Sequence, residues 1–159
     1  MTKALGYYNI LIENSFQIGG GQKMKIVYWS GTGNTEAMAE GIAKGIKESG
    51  KEAELVNVSN VNIDELLKED ILILGCPAMG DEVLEECEFE PFIEEISGKV
   101  NGKKAALFGS YGWGDGQWMR DFEERMTGYG CIIKLDCLIN QNEADEDQCV
   151  EFGKQIALL

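Results

Sequence analysis

Short apolar runs alternate along the chain with segments whose apolar residues recur every three or four positions. The clearest run is residues 71–74, four consecutive aliphatic residues, which is typical of a strand covered on both faces. Such alternation predicts parallel strands joined by helices. The five predicted strands are residues 25–29, 53–57, 71–75, 104–110 and 131–138.

The segments between these strands show helical periodicity. In the first, Met38, Ile42 and Ile46 recur every four residues, and in a later one Pro91 falls in the first turn, where proline is tolerated. The later apolar faces comprise Phe89, Phe92, Ile93 and Ile96; Trp118, Phe122, Met126 and Tyr129; and Val150, Phe152 and Ile156. The pattern predicts an α/β fold, a doubly wound five-stranded parallel sheet with helices on both faces.

Residues 1–23 differ from the rest of the chain. Residues 7–12 are apolar enough for a short strand, and residues 19–23 are typical of a flexible link. The apolar run is much shorter than the roughly 20 residues of a membrane span, and it lacks the features of a secretory signal. We predict an extension over residues 1–23, either an added edge strand or an upstream reading-frame artefact or cloning remnant, and one domain over residues 24–159.

The composition is strongly acidic. Asp and Glu number 28 against 14 Lys and Arg, the formal net charge is −14, and the chain has no His. Such a surface disfavours nucleic acid, whose binding requires basic residues, and favours partner proteins with basic patches. Because His is the commonest general base and metal ligand, its absence also argues against catalytic and metal sites.

The cysteines offer little chemistry. They are odd in number and form no C-x-x-C pair, so we expect reduced thiols of a cytoplasmic protein, buried as small apolar groups. They are Cys76, Cys87, Cys131, Cys137 and Cys149.

The first loop, residues 30–35, carries the clearest chemical signal. It reads Ser-Gly-Thr-Gly-Asn-Thr and leads directly into the first helix. Hydroxyls, backbone N–H groups and the positive end of a helix dipole favour an anion such as a phosphate. The loop has no Lys or Arg, so neutral donors would hold that phosphate. An ordinary glycine turn, with Asn34 or Ser30 capping the helix, is the alternative interpretation.

Two better-known phosphate loops do not fit this segment. A nucleoside-triphosphate loop requires a Lys directly before Ser or Thr, but the first Lys of the following helix is Lys44. In a dinucleotide fingerprint, Gly31 and Gly33 would take the first two positions, and the third glycine would be replaced by Glu36. The loop instead suits a small terminal monophosphate.

Two further loops should meet the first. In open parallel sheets, ligands bind beyond the carboxyl ends of the strands, near the point where the strand order reverses. The second loop (residues 76–82) and the third loop (residues 111–116) follow the third and fourth predicted strands. Trp113 lies among glycines, where it is easily offered to a planar ligand, whereas Trp118 on a helix is expected in the core. With Met79 on the facing loop, this predicts a flat ring on a phosphorylated tail, a description that FMN fits.

Three motifs carry a resemblance to a known family. Residues 26–36 read IVYWSGTGNTE, residues 74–80 read LGCPAMG and residues 107–114 read LFGSYGWG. From Met24 onward the chain resembles the short-chain flavodoxins of anaerobic, clostridial-type bacteria. Flavodoxins are a known example of strand order 2-1-3-4-5 with FMN where the order reverses. The resemblance covers essentially all of the domain but not residues 1–23.

The resemblance implies which residues bind FMN. Met79 and Trp113 would sandwich the ring, and Glu82 would accept a hydrogen bond from its uracil-like end, where backbone groups of Gly112 and Trp113 also bind. Side-chain and backbone groups of the first loop would hold the phosphate, from Ser30, Thr32, Asn34 and Thr35. The rest of the predicted site comprises Gly31, Gly33, Pro77, Ala78, Gly80, Asp81, Ser110, Tyr111, Gly114 and Asp115.

Two positions in the second loop bear on the chemistry. At Pro77 some relatives carry a Ser, whose additional contact is absent here. Gly80 can turn its peptide toward the central ring nitrogen because it lacks a Cβ. Its carbonyl would then accept the proton that the ring gains on one-electron reduction, and so stabilise the neutral semiquinone. The apolar stack and nearby carboxylates disfavour the anion that the second electron produces. The resemblance therefore implies a low-potential one-electron carrier that shuttles between semiquinone and hydroquinone and replaces ferredoxin-type carriers between redox enzymes.

Residues 81–95, the acidic segment, contain eight carboxylates and no Lys or Arg. This segment predicts a docking surface beside the flavin for basic partners, the alternative being a solvated helix face. We expect a monomeric cytoplasmic carrier rather than an enzyme, with neither nucleic acid nor membrane as a partner. A small FMN-dependent reductase and an engineered flavodoxin-fold variant are the alternatives, although no second nucleotide motif or long inserted lid is found.

Overall fold

The computed structural model describes residues 23–159, and the strand and most of the glycine link predicted in the extension lie outside the described residues. Five parallel strands form one sheet in the order β2-β1-β3-β4-β5, which confirms the predicted α/β fold. The strands are β1 (Lys23–Tyr28), β2 (Glu52–Asn57), β3 (Ile71–Gly75), β4 (Lys104–Tyr111) and β5 (Leu138–Gln141). The strand order reverses between β1 and β3, so a crevice opens there at the carboxyl edge.

Helices cover both faces of the sheet. They are α1 (Asn34–Glu48), α2 (Ile63–Leu66), α3 (Phe89–Ile96), α4 (Gln117–Gly128) and α5 (Glu146–Ala157), and a 3₁₀ turn spans Val58–Asn60. The apolar stripes predicted for α1, α3 and α4 are buried, apart from the capping Tyr129, which is half-buried. In α5, Phe152 and Ile156 are buried with Cys149, whereas Val150 is half-buried.

Each face of the sheet has its own core. Ile26, Ile73 and Phe108 pack against α1 and α5 on one side. Val27, Leu74 and Leu107 face α3 and α4 on the other. Because alternate residues of the central strands point to opposite faces, both sets must be apolar, which explains the continuous aliphatic runs.

The prediction of the fifth strand was wrong. Within residues 131–137, only Ile132 forms a bridge, to Lys104, and regular pairing begins at Leu138, opposite Phe108. The chain advances six residues from Ile132 to Leu138 while β4 advances four from Lys104 to Phe108. The two extra residues bow the segment away from the ladder, as in a bulge. An apolar run at a sheet edge therefore did not mark the paired residues.

The prediction that the cysteines are buried holds for three of the five. Cys76, Cys131 and Cys149 are buried, Cys137 is half-buried and Cys87 is exposed, and all five are free thiols. Burial raises the pKa of Cys76 to about 12, so this thiol stays protonated near neutrality. Among helices of residues 23–159, none combines the length and hydrophobicity that a membrane span requires.

Candidate cofactor site

A cleft of about 320 Å³ opens at the carboxyl edge of the sheet. Its volume lies within the usual range for small-molecule sites. The first, second and third loops all contribute, and none of the described residues that line it is Lys or Arg. The lining consists of Trp29, Ser30, Gly31, Thr32, Asn34, Thr35, Pro77, Ala78, Met79, Ser110, Tyr111, Gly112 and Asn142.

The first loop is held open by a hydroxyl and a left-handed glycine. Ser30 Oγ accepts hydrogen bonds from the backbone N–H groups of Gly33 (3.1 Å) and Glu36 (3.3 Å). Gly33 takes the N-cap position of α1 at φ 97°, a conformation that disfavours a side chain. Within residues 23–159, the backbone N–H groups of Asn34 and Thr35 have no acceptor. These donors remain available to an anion at the positive end of α1.

A pair of buried hydroxyls joins the first loop to β4. Thr35 Oγ1 lies 2.8 Å from Ser110 Oγ, and these residues are 1% and 5% exposed. The backbone carbonyl of Ser110 also accepts a hydrogen bond from Ala78 N (2.9 Å). Ser110 is therefore the point at which all three loops meet.

The second loop contains a tight turn. Glu82 N donates to the Met79 carbonyl (3.0 Å), and Met79 N donates to the Val83 carbonyl (2.9 Å). Asp81 and Glu82 have φ angles of 65° and 51°, which are unfavourable for residues with a side chain. Positive φ at the third position is characteristic of a type II turn. Gly80, at the second position, is exposed, and a Cβ there would meet no atom within 4 Å.

Glu82 turns its side chain under the third loop. Its Oε1 atom is buried and has no hydrogen-bond partner within residues 23–159. A Cβ on Gly114 would overlap this oxygen, and Gly114 has φ 90°, so glycine is required there for two reasons. A buried carboxylate oxygen without a donor is unfavourable, and a ligand N–H would satisfy it.

The structure does not bring every predicted site residue into the lining of the cleft. Trp113 is 64% exposed, and Asp115 pairs with Arg120 Nη2 at 2.9 Å on the surface. Trp118, by contrast, is buried and donates its indole N–H to the Cys76 carbonyl (3.1 Å). The predicted residues outside the lining are Gly33, Gly80, Asp81, Glu82, Trp113, Gly114 and Asp115.

Two lining residues were missed from the sequence. Trp29 packs against Gly31, where a Cβ would lie 2.9 Å from the indole ring, and its Nε1 lies 3.4 Å from Glu88 Oε1. Asn142 follows β5, has φ 60° and donates its backbone N–H to the Tyr111 carbonyl (2.7 Å). The rule that ligands bind at carboxyl strand ends also covers the fifth strand. The misplaced fifth strand concealed Asn142.

Three of the eight carboxylates of the acidic segment do not face solvent freely. Glu85 is 5% exposed and accepts backbone hydrogen bonds from Cys87 (2.7 Å), Glu88 (2.8 Å) and Phe89 (2.9 Å), where α3 begins. Burial raises the pKa of Glu85, but these three donors outweigh burial and lower it. Glu90 pairs with Arg125 at 2.6 Å, and Glu82 is half-buried. The remaining carboxylates, Asp81, Glu86, Glu88, Glu94 and Glu95, are exposed.

Comparison with known proteins finds one family with the same sequence features. The profile of the family described as "Flavodoxin" matches residues 26–153. Over 136 residues the chain is 76% identical to a flavodoxin of Clostridium beijerinckii, an alignment that covers 84% of this chain and 99% of the relative. A flavodoxin of Megasphaera elsdenii is 42% identical over 134 residues, with 84% and 98% coverage.

Solved structures agree with the sequence comparisons. The solution structure of two-electron reduced Megasphaera elsdenii flavodoxin superposes with a TM-score of 0.79, and the alignment covers 86% of this chain and 99% of that one. A flavodoxin from the domain Archaea, 27% identical, gives a TM-score of 0.77 with 86% and 97% coverage.

Proposed function

The chain belongs to the flavodoxin family, and we propose that the cleft and the loops around it hold FMN through the residues described above. Membership of this family makes the chain an FMN-binding electron carrier rather than an enzyme. The cofactor, when bound, supplies the redox chemistry, because its ring accepts and releases single electrons. The protein binds it, orients it and sets the charge around it.

The buried Glu82 Oε1 atom is the observation that carries the placement of the ring. This oxygen has no donor among residues 23–159 and lies under Gly114 of the third loop. The uracil-like end of the FMN ring carries one N–H group, which would supply that donor. An acceptor that is satisfied only by the cofactor favours binding, and it selects the orientation in which the uracil-like end of the ring points toward Glu82.

The neutral first loop supports binding of the phosphate. The N–H groups of Asn34 and Thr35 have no acceptor among the described residues, and they lie at the positive end of α1, beside the hydroxyls of Ser30 and Thr32. Such donors bind a phosphate without a cation. Because no described residue of the cleft lining is Lys or Arg, the loop adds no positive side chain that would favour an anionic ring. We propose that this feature contributes to a low reduction potential.

Met79 and Trp113 are proposed to cover the two faces of the ring. Met79 lines the cleft, and Trp113 is 64% exposed on the opposite loop. A large exposed indole gains burial when it stacks on a planar ligand. The backbone around Gly80 is uncrowded, since a Cβ at this position would meet no atom within 4 Å. We propose that the Gly80 carbonyl accepts a hydrogen bond from a protonated central ring nitrogen.

We propose that five exposed carboxylates of the acidic segment guide basic redox partners toward the cleft. Three carboxylates are excluded from this role: Glu85 binds backbone N–H groups at the start of α3, Glu90 pairs with Arg125, and Glu82 is half-buried. The remaining charge supports electrostatic steering, which salt weakens. Electron-transfer rates to a basic partner should fall as ionic strength rises, and rates that stay constant would favour a merely solvated face.

The site of action and the domain limits are also proposals. We propose a monomer that works in the cytoplasm without nucleic acid or membrane, which the free thiols and the acidic surface support. We propose that residues 24–159 form the flavodoxin-like domain and that the extension stands outside it, apart from its last residue, Lys23, which begins β1. The family match over residues 26–153 supports this division.

Titration of the apoprotein with FMN tests the proposed site. Quenching of flavin fluorescence should saturate at about one FMN per chain, and Trp113→Ala should weaken binding by at least about tenfold. Ile132→Ala, which removes another exposed apolar side chain beside the start of β4, is the matched control. Absence of saturation, or an equal loss in both variants, would contradict the proposal.

A further inference from the structure

The Thr35 and Ser110 hydroxyls form an isolated pair within the cofactor site. They lie 2.8 Å apart, on residues 75 positions apart in the sequence, and Thr35 belongs to the first turn of α1 while Ser110 lies near the end of β4. Both residues are almost fully buried, yet both also line the cleft. The pair is therefore shielded from bulk water and open toward the ligand.

Counting protons shows that this pair is incomplete. Each hydroxyl has one proton to donate, and one hydrogen bond between them uses only one of the two. In residues 23–159, neither hydroxyl has another hydrogen-bond partner. Whichever oxygen donates within the pair, one buried O–H is left to be satisfied from the cleft. An anion in the cleft would accept this proton in a charge-assisted bond.

Ser110 is the fixed member of the pair. Its carbonyl accepts a hydrogen bond from Ala78 N, and its strand is paired on both sides, with β3 and with β5, where Asn140 is its partner. Thr35 lies in the first turn of α1, next to the unengaged N–H of Asn34. Donation from Ser110 to Thr35 would therefore orient the Thr35 proton toward an anion at the helix N-terminus.

We propose that Ser110 is a positioning residue for the FMN phosphate, which acts through the Thr35 hydroxyl. This inference rests on the proposed phosphate site and adds a second hydroxyl behind it. Ser110 donates to Thr35, and Thr35 donates to the phosphate, so each bond polarises the other. The effect is specific to the phosphate, because the ring is held by the second and third loops.

The test compares FMN with riboflavin, which has the same ring but no phosphate. Dissociation constants of both are measured for the apoproteins of wild type, Ser110→Ala, Thr35→Val and the double variant. Ser110→Ala should weaken FMN binding about tenfold and riboflavin binding by less than about twofold. In the Thr35→Val background, Ser110→Ala should change the ratio of the two affinities by less than about twofold, because the relay is already broken.

Two controls keep the result interpretable. Ser59→Ala removes a hydroxyl that bonds to Asn57 outside the cleft, and it should leave both affinities unchanged. Ser110→Cys keeps the side-chain shape, but its thiol is a weak donor, so it should weaken FMN binding as Ser110→Ala does. It replaces Ser110→Ala in the test if circular dichroism shows that the alanine variant folds poorly.

The possible outcomes separate this inference from the proposed function. Equal losses of FMN and riboflavin, or a full effect of Ser110→Ala in the Thr35→Val background, would overturn the positioning role alone. Wild-type apoprotein that binds neither ligand would overturn the proposed site as well.

Discussion

Replacing Glu82 by Gln changes the charge of the buried acceptor but not its size. Glu82 Oε1 is buried and has no hydrogen-bond partner in the described part of the chain, so the cofactor would supply that bond. Hydrogen bonds to charged groups contribute about 1.5–3 kcal/mol, against about 0.5–1.5 kcal/mol for neutral pairs. The midpoints of these ranges differ by about 1.25 kcal/mol, which corresponds to about eightfold weaker FMN binding. Loss of a negative charge beside the ring should also raise the potential for the second electron.

The assay is fluorescence titration of the apoprotein with FMN, followed by a redox titration of the complex. Glu86→Gln removes the same charge from an exposed position in the same segment, and it should leave the dissociation constant within about twofold. Equal affinities for wild type and Glu82→Gln would refute the role of this oxygen. An equal effect of both variants would show that net charge, rather than a buried acceptor, determines affinity.

Three further predictions concern the second loop and α3. Gly80→Val should bring the two one-electron potentials of bound FMN closer together, because a branched side chain hinders rotation of the peptide although the Cβ itself meets no atom; a redox titration with unchanged separation would contradict this. Pro77→Ser places a hydroxyl in the cleft lining and should tighten FMN binding by up to about tenfold, and weaker binding in a fluorescence titration would count against it. Glu85→Gln should lower the free energy of unfolding by about 2 kcal/mol at neutral pH, because backbone donors lose a charged acceptor. Since the folded pKa of Glu85 is lowered, its contribution is complete above the ordinary value of 4.5 and is lost as the pH falls through the folded pKa. The gap between wild type and Glu85→Gln in urea unfolding should therefore close in acid, and a gap independent of pH would contradict the assignment.

The central fold was predictable because the central strands are covered on both faces. Their continuous aliphatic runs and the stripes of α1, α3 and α4 leave few alternatives. The edge strand β5 was not predictable in the same way. Residues 131–138 are as apolar as a strand, but two extra residues displace the pairing to Leu138, and apolar periodicity does not report hydrogen-bond register.

The site divides along a similar line. Loops after β1, β3 and β4 were expected to meet, and the cleft brings them together through Ser110. Asn142 was missed because the end of the fifth strand was misplaced. Glu85 was counted among docking charges, because the sequence around it does not reveal that it is buried or that it binds backbone N–H groups at the start of α3. The pairing of Thr35 with Ser110 depends on tertiary contact across 75 residues, which no local pattern reports.

A redox titration of the purified protein, followed by flavin absorption, is the decisive test of FMN binding and one-electron transfer. We expect about one tightly bound FMN per chain, reduced in two separate one-electron steps, with no steady consumption of NADH in the absence of a partner protein. A purified protein that binds no flavin, or one whose flavin takes up both electrons in a single step while oxidising NADH unaided, would contradict it.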